Sequence, residues 1–291
     1  LLGLDAEGIA RAMGLAYAQA GGNQQCIADG GIIKRMQPGM IAETGVRAAW
    51  LAKAGVTGAV DAIEGKNGFY AVYEQGDYDA NILTDNLGSN LEIERVGFKR
   101  YPICGMAQPS VDILRDLQRE LGFKQDDVES LEVYGSKFVS DMVGRPYDPG
   151  DNPDVDAQFS LQYCLASVLE TGNVCLADLA PEHTLSPDRR ALAAKIPINL
   201  DESLKGKWTS RVELKLRNGN TITLPREKAA GQSDLPLSTD ELITKFKDSN
   251  ESGGPVMAVA DAEQLCDLLL DLPQLATMGP LCDALVPTTK T

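Results

Sequence analysis

One histidine, His183, is all that the chain contains, and that scarcity removes several chemistries at once. A Ser-His-Asp triad or an imidazole-built zinc site cannot be completed from a single ring. This ring lies in a polar, proline-flanked segment, PEHTLSP, that reads as an exposed loop. Positive charge is scarce too. With 27 Lys and Arg against 42 Asp and Glu, the net charge is −15, the wrong sign for a general binder of nucleic acid or of anionic membrane. No apolar run approaches the roughly 20 residues that span a bilayer, so no membrane span is predicted. The six cysteines, Cys26, Cys104, Cys164, Cys175, Cys266 and Cys282, include no CxxC pair. They read as reduced, mostly buried thiols of a cytoplasmic protein. Glycine fingerprints for a dinucleotide or a phosphate are absent, and so are internal repeats and low-complexity tracts.

What is present fits a soluble globular chain. At about 150 residues per domain, 291 residues predict roughly two domains. The first residues, LLGLDAEGIARAMGLAYAQA, carry no basic region and no small-residue cleavage site, so no signal peptide is expected. Asp5 is expected to cap a helix with Ile9, Met13, Ala16 and Ala20 on one face. A helix this apolar needs a partner, and we expect an upstream portion of the fold or another chain to supply it. Up to residue 94 no strand is predicted. A second helix at residues 41–54 carries a small-residue face, Ala42, Gly45, Ala49 and Ala52, suited to close packing, and Phe69, Tyr70 and Tyr73 are expected to pack on these helices.

From Val96 the texture turns to mixed structure. Pro109 and Ser110 open a helix with Val111, Leu114, Leu117 and Leu121 on its buried face. A half-buried strand follows at residues 128–136, then one helix at 154–170, a strand at 196–200, and a hairpin, RVELKLRNGNTITL, turning at Asn218-Gly219. Helices return where Ser238 and Glu241 form a capping box. A last amphipathic helix spans residues 259–272, and residues 249–255, SNESGGP, read as a flexible loop before it. The predicted class is α+β: a discontinuous all-helical domain, residues 1–95 and 237–291, interrupted by a smaller α+β lid domain at 96–236.

Cations in an acidic chain are informative where they cluster with glycine. Residues 29–45, DGGIIKRMQPGMIAETG, set Lys34 and Arg35 among Gly30, Gly31, Pro38 and Gly39. Composition alone makes this a solvated loop between two helices; its glycines also permit close backbone approach to an anionic small molecule. A second cationic segment, FKRYPICGMAQPSVD at residues 98–112, carries Lys99, Arg100 and Tyr101.

These two segments, with EGKNGFY at 64–70, GRP at 144–146 and AQFSLQYCLASVLETGNV at 157–174, resemble the MmgE/PrpD family. Its members include 2-methylcitrate dehydratases, cis-aconitate decarboxylases and an iminodisuccinate epimerase. The resemblance implies a large helical domain with a smaller α+β lid, and it covers only the later two-thirds of the family's length. The helical part that carries the family's catalytic Asp and His is expected to lie upstream of Leu1. Implied too is a cofactor-independent, metal-free lyase or isomerase, 2-methylcitrate dehydratase-like, acting on a di- or tricarboxylate at a carbon next to a carboxylate. Lys34 and Lys99 match the family's lysines and are the expected catalytic residues. Such a cation pairs with a carboxylate and stabilises enediolate charge, an effect of about 3–4 kcal/mol for one well-placed donor.

Arg35, Gln37, Arg100, Tyr101, Gln108 and Arg145 are the expected substrate-binding residues. Two departures stand out: many members carry His at the position of Gln37, and Thr-His at Ala107-Gln108. Glutamine keeps the hydrogen bonding but cannot shuttle a proton near neutral pH. The resemblance therefore leaves two readings. One is a cytoplasmic enzyme working as a homodimer or with a chain that supplies the missing helical part; the other is a non-catalytic subunit, fragment or degenerate homologue.

Overall fold

Asp5 opens the first helix as the sequence predicts. Its Oδ1 accepts the Gly8 N–H at 2.8 Å, satisfying one of the donors that every helix start leaves over, and α1 runs Ala6–Tyr17. The computed structural model describes residues 1–252 and 257–286, the side chain of Ala28 apart. Two units divide it, Leu1–Glu92 and a second beginning at Ile93.

The described residues of the first unit contain no strand. After α1 come α2 (Gln25–Ala28), α3 (Ile33–Lys53) and α4 (Phe69–Tyr73). α1 packs on α3, and α1 also lies tight against residues 58–59, where a Cβ on Gly14 would overlap the Ala59 backbone. Aromatic rings gather beside it: Phe69 stacks on Tyr73 at 4.9 Å and Tyr70 on Tyr78 at 4.0 Å. Residues 29–45 correct the sequence reading. Glycines and Pro38 predict a loop there, yet α3 begins at Ile33 and passes through Pro38, Gly39 and Gly45. Pro38 has no N–H for the Lys34 carbonyl, and this one missing bond is absorbed by a helix of 21 residues. The small-residue face is not the buried one either: Ala48 is buried while Ala42 and Gly45 are exposed. Met36, Met40, Val46 and Trp50 on α3 are each more than half exposed.

The second unit is built on a four-stranded mixed sheet of order β2-β1-β3-β4. Ahead of it lies α5 (Gln108–Leu121), ended by Gly122 at φ +68°, a left-handed C-cap that glycine adopts without strain. β1 (Val128–Gly135) leads to α6 (Lys137–Val143), α7 (Pro153–Gln158), α8 (Leu161–Thr171), α9 (Pro181–Thr184) and α10 (Pro187–Ala193). The chain then returns as β2 (Ile198–Leu200), parallel to β1. β3 (Ser210–Leu216) and β4 (Thr221–Arg226) are the hairpin expected at Asn218-Gly219, and both neighbours of β3 are antiparallel to it. Alternation along the strands sets the core: Leu131 and Val133 of β1, with Val212, Leu214 and Leu216 of β3, are buried with Val111, Leu114 and Leu117 of α5 and Leu161, Leu165 and Val168 of α8.

Two local readings change in this unit. Residues 154–170 form two helices, because the Ser160 Oγ accepts the Tyr163 N–H at 3.2 Å and starts α8 afresh. His183 sits in the short α9 and is half-buried. The capping box forms as expected: Ser238 N–H donates to Glu241 Oε2 at 2.9 Å and Glu241 N–H to Ser238 Oγ at 3.2 Å. It opens α11 (Thr239–Ser252), so the first four residues of the predicted 249–255 loop are helical and the rest lie outside the described residues. α12 (Val259–Leu270) and α13 (Gly279–Ala284) follow. Ala262, Leu265 and Leu281 make a small apolar cluster there, separate from the sheet core, with Phe246 of α11 packed on it. Among the described residues no helix is long and apolar enough to cross a membrane.

Candidate functional site

Lys99 sits at the wall of a cavity of about 580 Å³ within the second unit, lined also by Phe98, Gln108, Trp208 and residues 229–234. The segment before α5 and the segment after β4 meet through backbone. Phe98 N–H donates to the Gly231 carbonyl at 2.7 Å. Gly231 has φ +93°, and a Cβ there would overlap the Phe98 carbonyl oxygen, so the contact needs glycine. Trp208, between β2 and β3, covers Gly105 so closely that a Cβ on Gly105 would stand 2.5 Å from its Cζ3. The Lys99 Nζ donates to the Ile103 carbonyl at 3.2 Å. A carbonyl fixes the ammonium without cancelling its charge, which leaves that charge for an anionic ligand.

Behind Lys99, the neighbouring side chains are committed to the buried carboxylate of Asp112. Its Oδ1 accepts from Arg100 Nη1 and from the Tyr101 hydroxyl, both at 2.9 Å. Its Oδ2 accepts the Ala230 N–H at 2.8 Å and faces Arg226 Nη1 at 3.5 Å. Arg100 Nη2 also reaches Glu241 Oε1 of α11 at 2.6 Å. Gln108 accepts the Arg100 N–H at 3.1 Å and donates to the Tyr101 carbonyl at 3.4 Å. Burial first, then the charge of Asp112, pushes the Tyr101 phenol far above its usual range. Tyr101 therefore holds its proton at neutral pH and serves as a donor to Asp112. Burial works against the charge on Arg100, but its anionic neighbours outweigh it and the guanidinium is held more firmly than usual.

Of the residues singled out by sequence, the structure gathers Lys99, Arg100, Tyr101 and Gln108 in one place. Lys34, Arg35 and Gln37 lie in the first turns of α3, in the first unit. Lys34 and Arg35 are exposed, and the Gln37 amide donates to the Asn23 carbonyl at 3.2 Å. Arg145 lies exposed in the connection from α6 to α7. The acidic stretch at 148–156 is tied locally, Gly150 N–H donating to Asp156 Oδ2 at 2.7 Å. Among the described residues no group of three or more His, Cys, Asp and Glu side chains stands ready to hold a metal.

Sequence reasoning passed over Asp112, Trp208 and residues 229–234, because nothing local marks them: Trp208 covers Gly105, and Asp112 meets Ala230 across 118 positions. It also passed over Arg189, whose buried guanidinium reaches Glu170 at 2.6 Å, Tyr163 at 3.1 Å, Ser167 at 3.2 Å and Asp178 at 3.0 Å. That network locks α8 to α10.

Matches with known proteins cover most of the chain. The family model for the MmgE/PrpD N-terminal domain matches residues 1–81, and that for the MmgE/PrpD C-terminal domain matches residues 101–271. A cis-aconitate decarboxylase of Aspergillus terreus (strain NIH 2624 / FGSC A1156) is 26% identical over 302 residues, covering 98% of this chain and 61% of the relative. A cis-aconitate decarboxylase of Homo sapiens is 23% identical over 306 residues, covering 97% of this chain and 62% of its own length. The chain thus spans about three-fifths of the length of these curated relatives.

Proposed function

Because the chain belongs to the MmgE/PrpD family, we propose that it acts as a carboxylate lyase on a small polycarboxylate, with cis-aconitate the first substrate to test. The Lys99 cavity carries this reading: in a chain of net charge −15, an ammonium held by a carbonyl lines a space of about 580 Å³. Loss of carbon dioxide breaks a C–C bond and leaves its electron pair on the adjacent carbon, from which it spreads toward a remaining carboxylate. A protonated lysine paired with that carboxylate lowers the energy of the developing charge, and a proton added at carbon completes the product. Dehydration of the 2-methylcitrate type and epimerisation pass through the same charge, so they are the runner-up reactions.

Lys34 is proposed as a second carboxylate-pairing cation, and Arg35, Gln37 and Arg145 as substrate contacts. Arg100, Tyr101 and Gln108 are already engaged around Asp112, which favours an indirect part for them. Lys34→Ala and Lys99→Ala are each expected to abolish turnover of cis-aconitate while leaving the far-UV circular dichroism unchanged. Full turnover in both variants would refute the reading.

Assembly belongs to the same proposal. The exposed Met36, Met40, Val46 and Trp50 of α3 support a homodimer or a partner chain carrying further helices. Open apolar residues Val259, Leu269 and Leu270 on α12 support the return of residues 237–291 to a discontinuous helical domain. The six free cysteines favour a reducing, cytoplasmic setting. One observation favours a non-catalytic homologue instead: Gln108, where many members carry His, spends its amide on backbone. The mass of the purified assembly, measured together with its turnover, separates these readings. A second polypeptide with turnover supports a split enzyme, and a lone inactive chain supports the non-catalytic one.

A further inference from the structure

The walls of the Lys99 cavity converge on Asp112. One fully buried carboxylate ties together three stretches, two of them neighbours in sequence and the third reached by a bond that spans 118 positions. Through Arg100 and Tyr101 it grips the segment that carries Lys99. It stands on α5, whose first residue, Gln108, lines the cavity. Through the Ala230 N–H it holds the segment that forms the facing wall.

Charge follows the same pattern. Arg100 is shared between Asp112 and Glu241, Arg226 between Asp112 and Asp116, and Lys228 pairs with Asp234. Arg100, Arg226 and Lys228 are therefore each paired with carboxylates, while Lys99 meets only the Ile103 carbonyl among the described residues.

We propose that Asp112 is a positioning residue for this site: its carboxylate fixes the Lys99 segment and residues 229–234 in one geometry and neutralises Arg100 and Arg226, so that a ligand carboxylate is drawn to Lys99. The inference rests on the reading of the Lys99 cavity as the polycarboxylate site. Asparagine at 112 keeps the shape but removes the charge and turns one acceptor into a donor, which must then face the Ala230 N–H or the Arg100 and Tyr101 donors.

The test measures cis-aconitate affinity by calorimetry and backbone hydrogen exchange over residues 97–101 and 229–234, in the full chain and in Asp112→Asn. With the fold retained, the variant is expected to bind about 10-fold more weakly or worse. Exchange is expected to rise in those two segments while that of β1 and β3 stays unchanged. Unchanged affinity together with unchanged exchange in a folded variant overturns the proposal. Should Asp112→Asn fail to fold, Arg226→Gln removes a single partner of the carboxylate. It is expected to raise exchange at 229–234 and weaken binding while exchange of β1 stays unchanged, and no effect on either overturns the proposal. Lys99→Ala keeps the two ideas apart. If it leaves cis-aconitate affinity intact, the reading of the cavity fails; if it removes binding while Asp112→Asn does not weaken it, only the positioning role fails.

Discussion

Replacing Gly105 by alanine probes the wall of the Lys99 cavity without touching a charge. Gly105 opens a short 3-10 turn, Gly105–Ala107, and is not among the residues of positive φ, so its backbone suits alanine. The obstacle is Trp208. A methyl at 105 would stand 2.5 Å from Cζ3 of the indole and closer still to Cη2, whereas carbon atoms rest about 3.5–4.0 Å apart. The ring must retreat by about 1–1.5 Å. Two effects then oppose each other. Overpacking costs about 1–3 kcal/mol, while removing glycine's freedom from the unfolded chain returns about 0.4–1 kcal/mol. Because Trp208 is only half-buried and borders a cavity, it has room to move, which places the cost in the lower half of that range. The net expectation is a loss of about 1 kcal/mol. The chain has two tryptophans, Trp50 and Trp208, so in a Trp50→Phe background the emission reports Trp208 alone. Gly105→Ala should shift that emission to the red and lower the urea midpoint. Unchanged emission with equal or greater stability would refute the geometry drawn for this wall.

Other consequences are as direct. Arg189→Leu strands the carboxylates of Asp178 and Glu170, which face a guanidinium whose side chain is 3% exposed; urea unfolding should show a loss of about 3–5 kcal/mol. The Glu241 carboxyl is held below its usual range, first by the Ser238 N–H and then by the Arg100 charge, although partial burial opposes both. A depressed folded pKa contributes stability above the unfolded value of about 4.3 that is lost as pH falls through the folded value. Helicity followed from pH 6 to pH 3 should therefore fall more steeply in the unaltered chain than in Glu241→Gln, and parallel curves would remove this carboxylate from the account.

Much of the fold is legible residue by residue where the signal is local. Asp5, the Ser238–Glu241 box and the Asn218-Gly219 turn each carry their own chemistry, and each forms as expected. Local signals also misled. Pro38, Gly39 and Gly45 look like breakers, but a long helix tolerates one missing bond and two flexible residues, so α3 runs on, whereas Gly30 and Gly31 do stand in the connection before it. In residues 154–170 the apolar periodicity masked Ser160, whose hydroxyl starts a new helix. The site divides in the same way. Lys99 stands out as a cation in an acidic chain and through family resemblance, whereas the Asp112 to Ala230 bond joins residues 118 positions apart. No pattern within a window of sequence announces a contact of that span.

The charge at Lys99 is proposed to serve a lyase acting on a polycarboxylate. The measurement closest to it follows 13C-labelled cis-aconitate by NMR with the purified protein and with its Lys99→Ala variant, both checked for native fold by circular dichroism. Carbon dioxide is expected from the unaltered protein, with turnover lost in the variant, a fall of at least about 100-fold. Equal rates in the two proteins, or no reaction and no binding of cis-aconitate by the unaltered one, would contradict it.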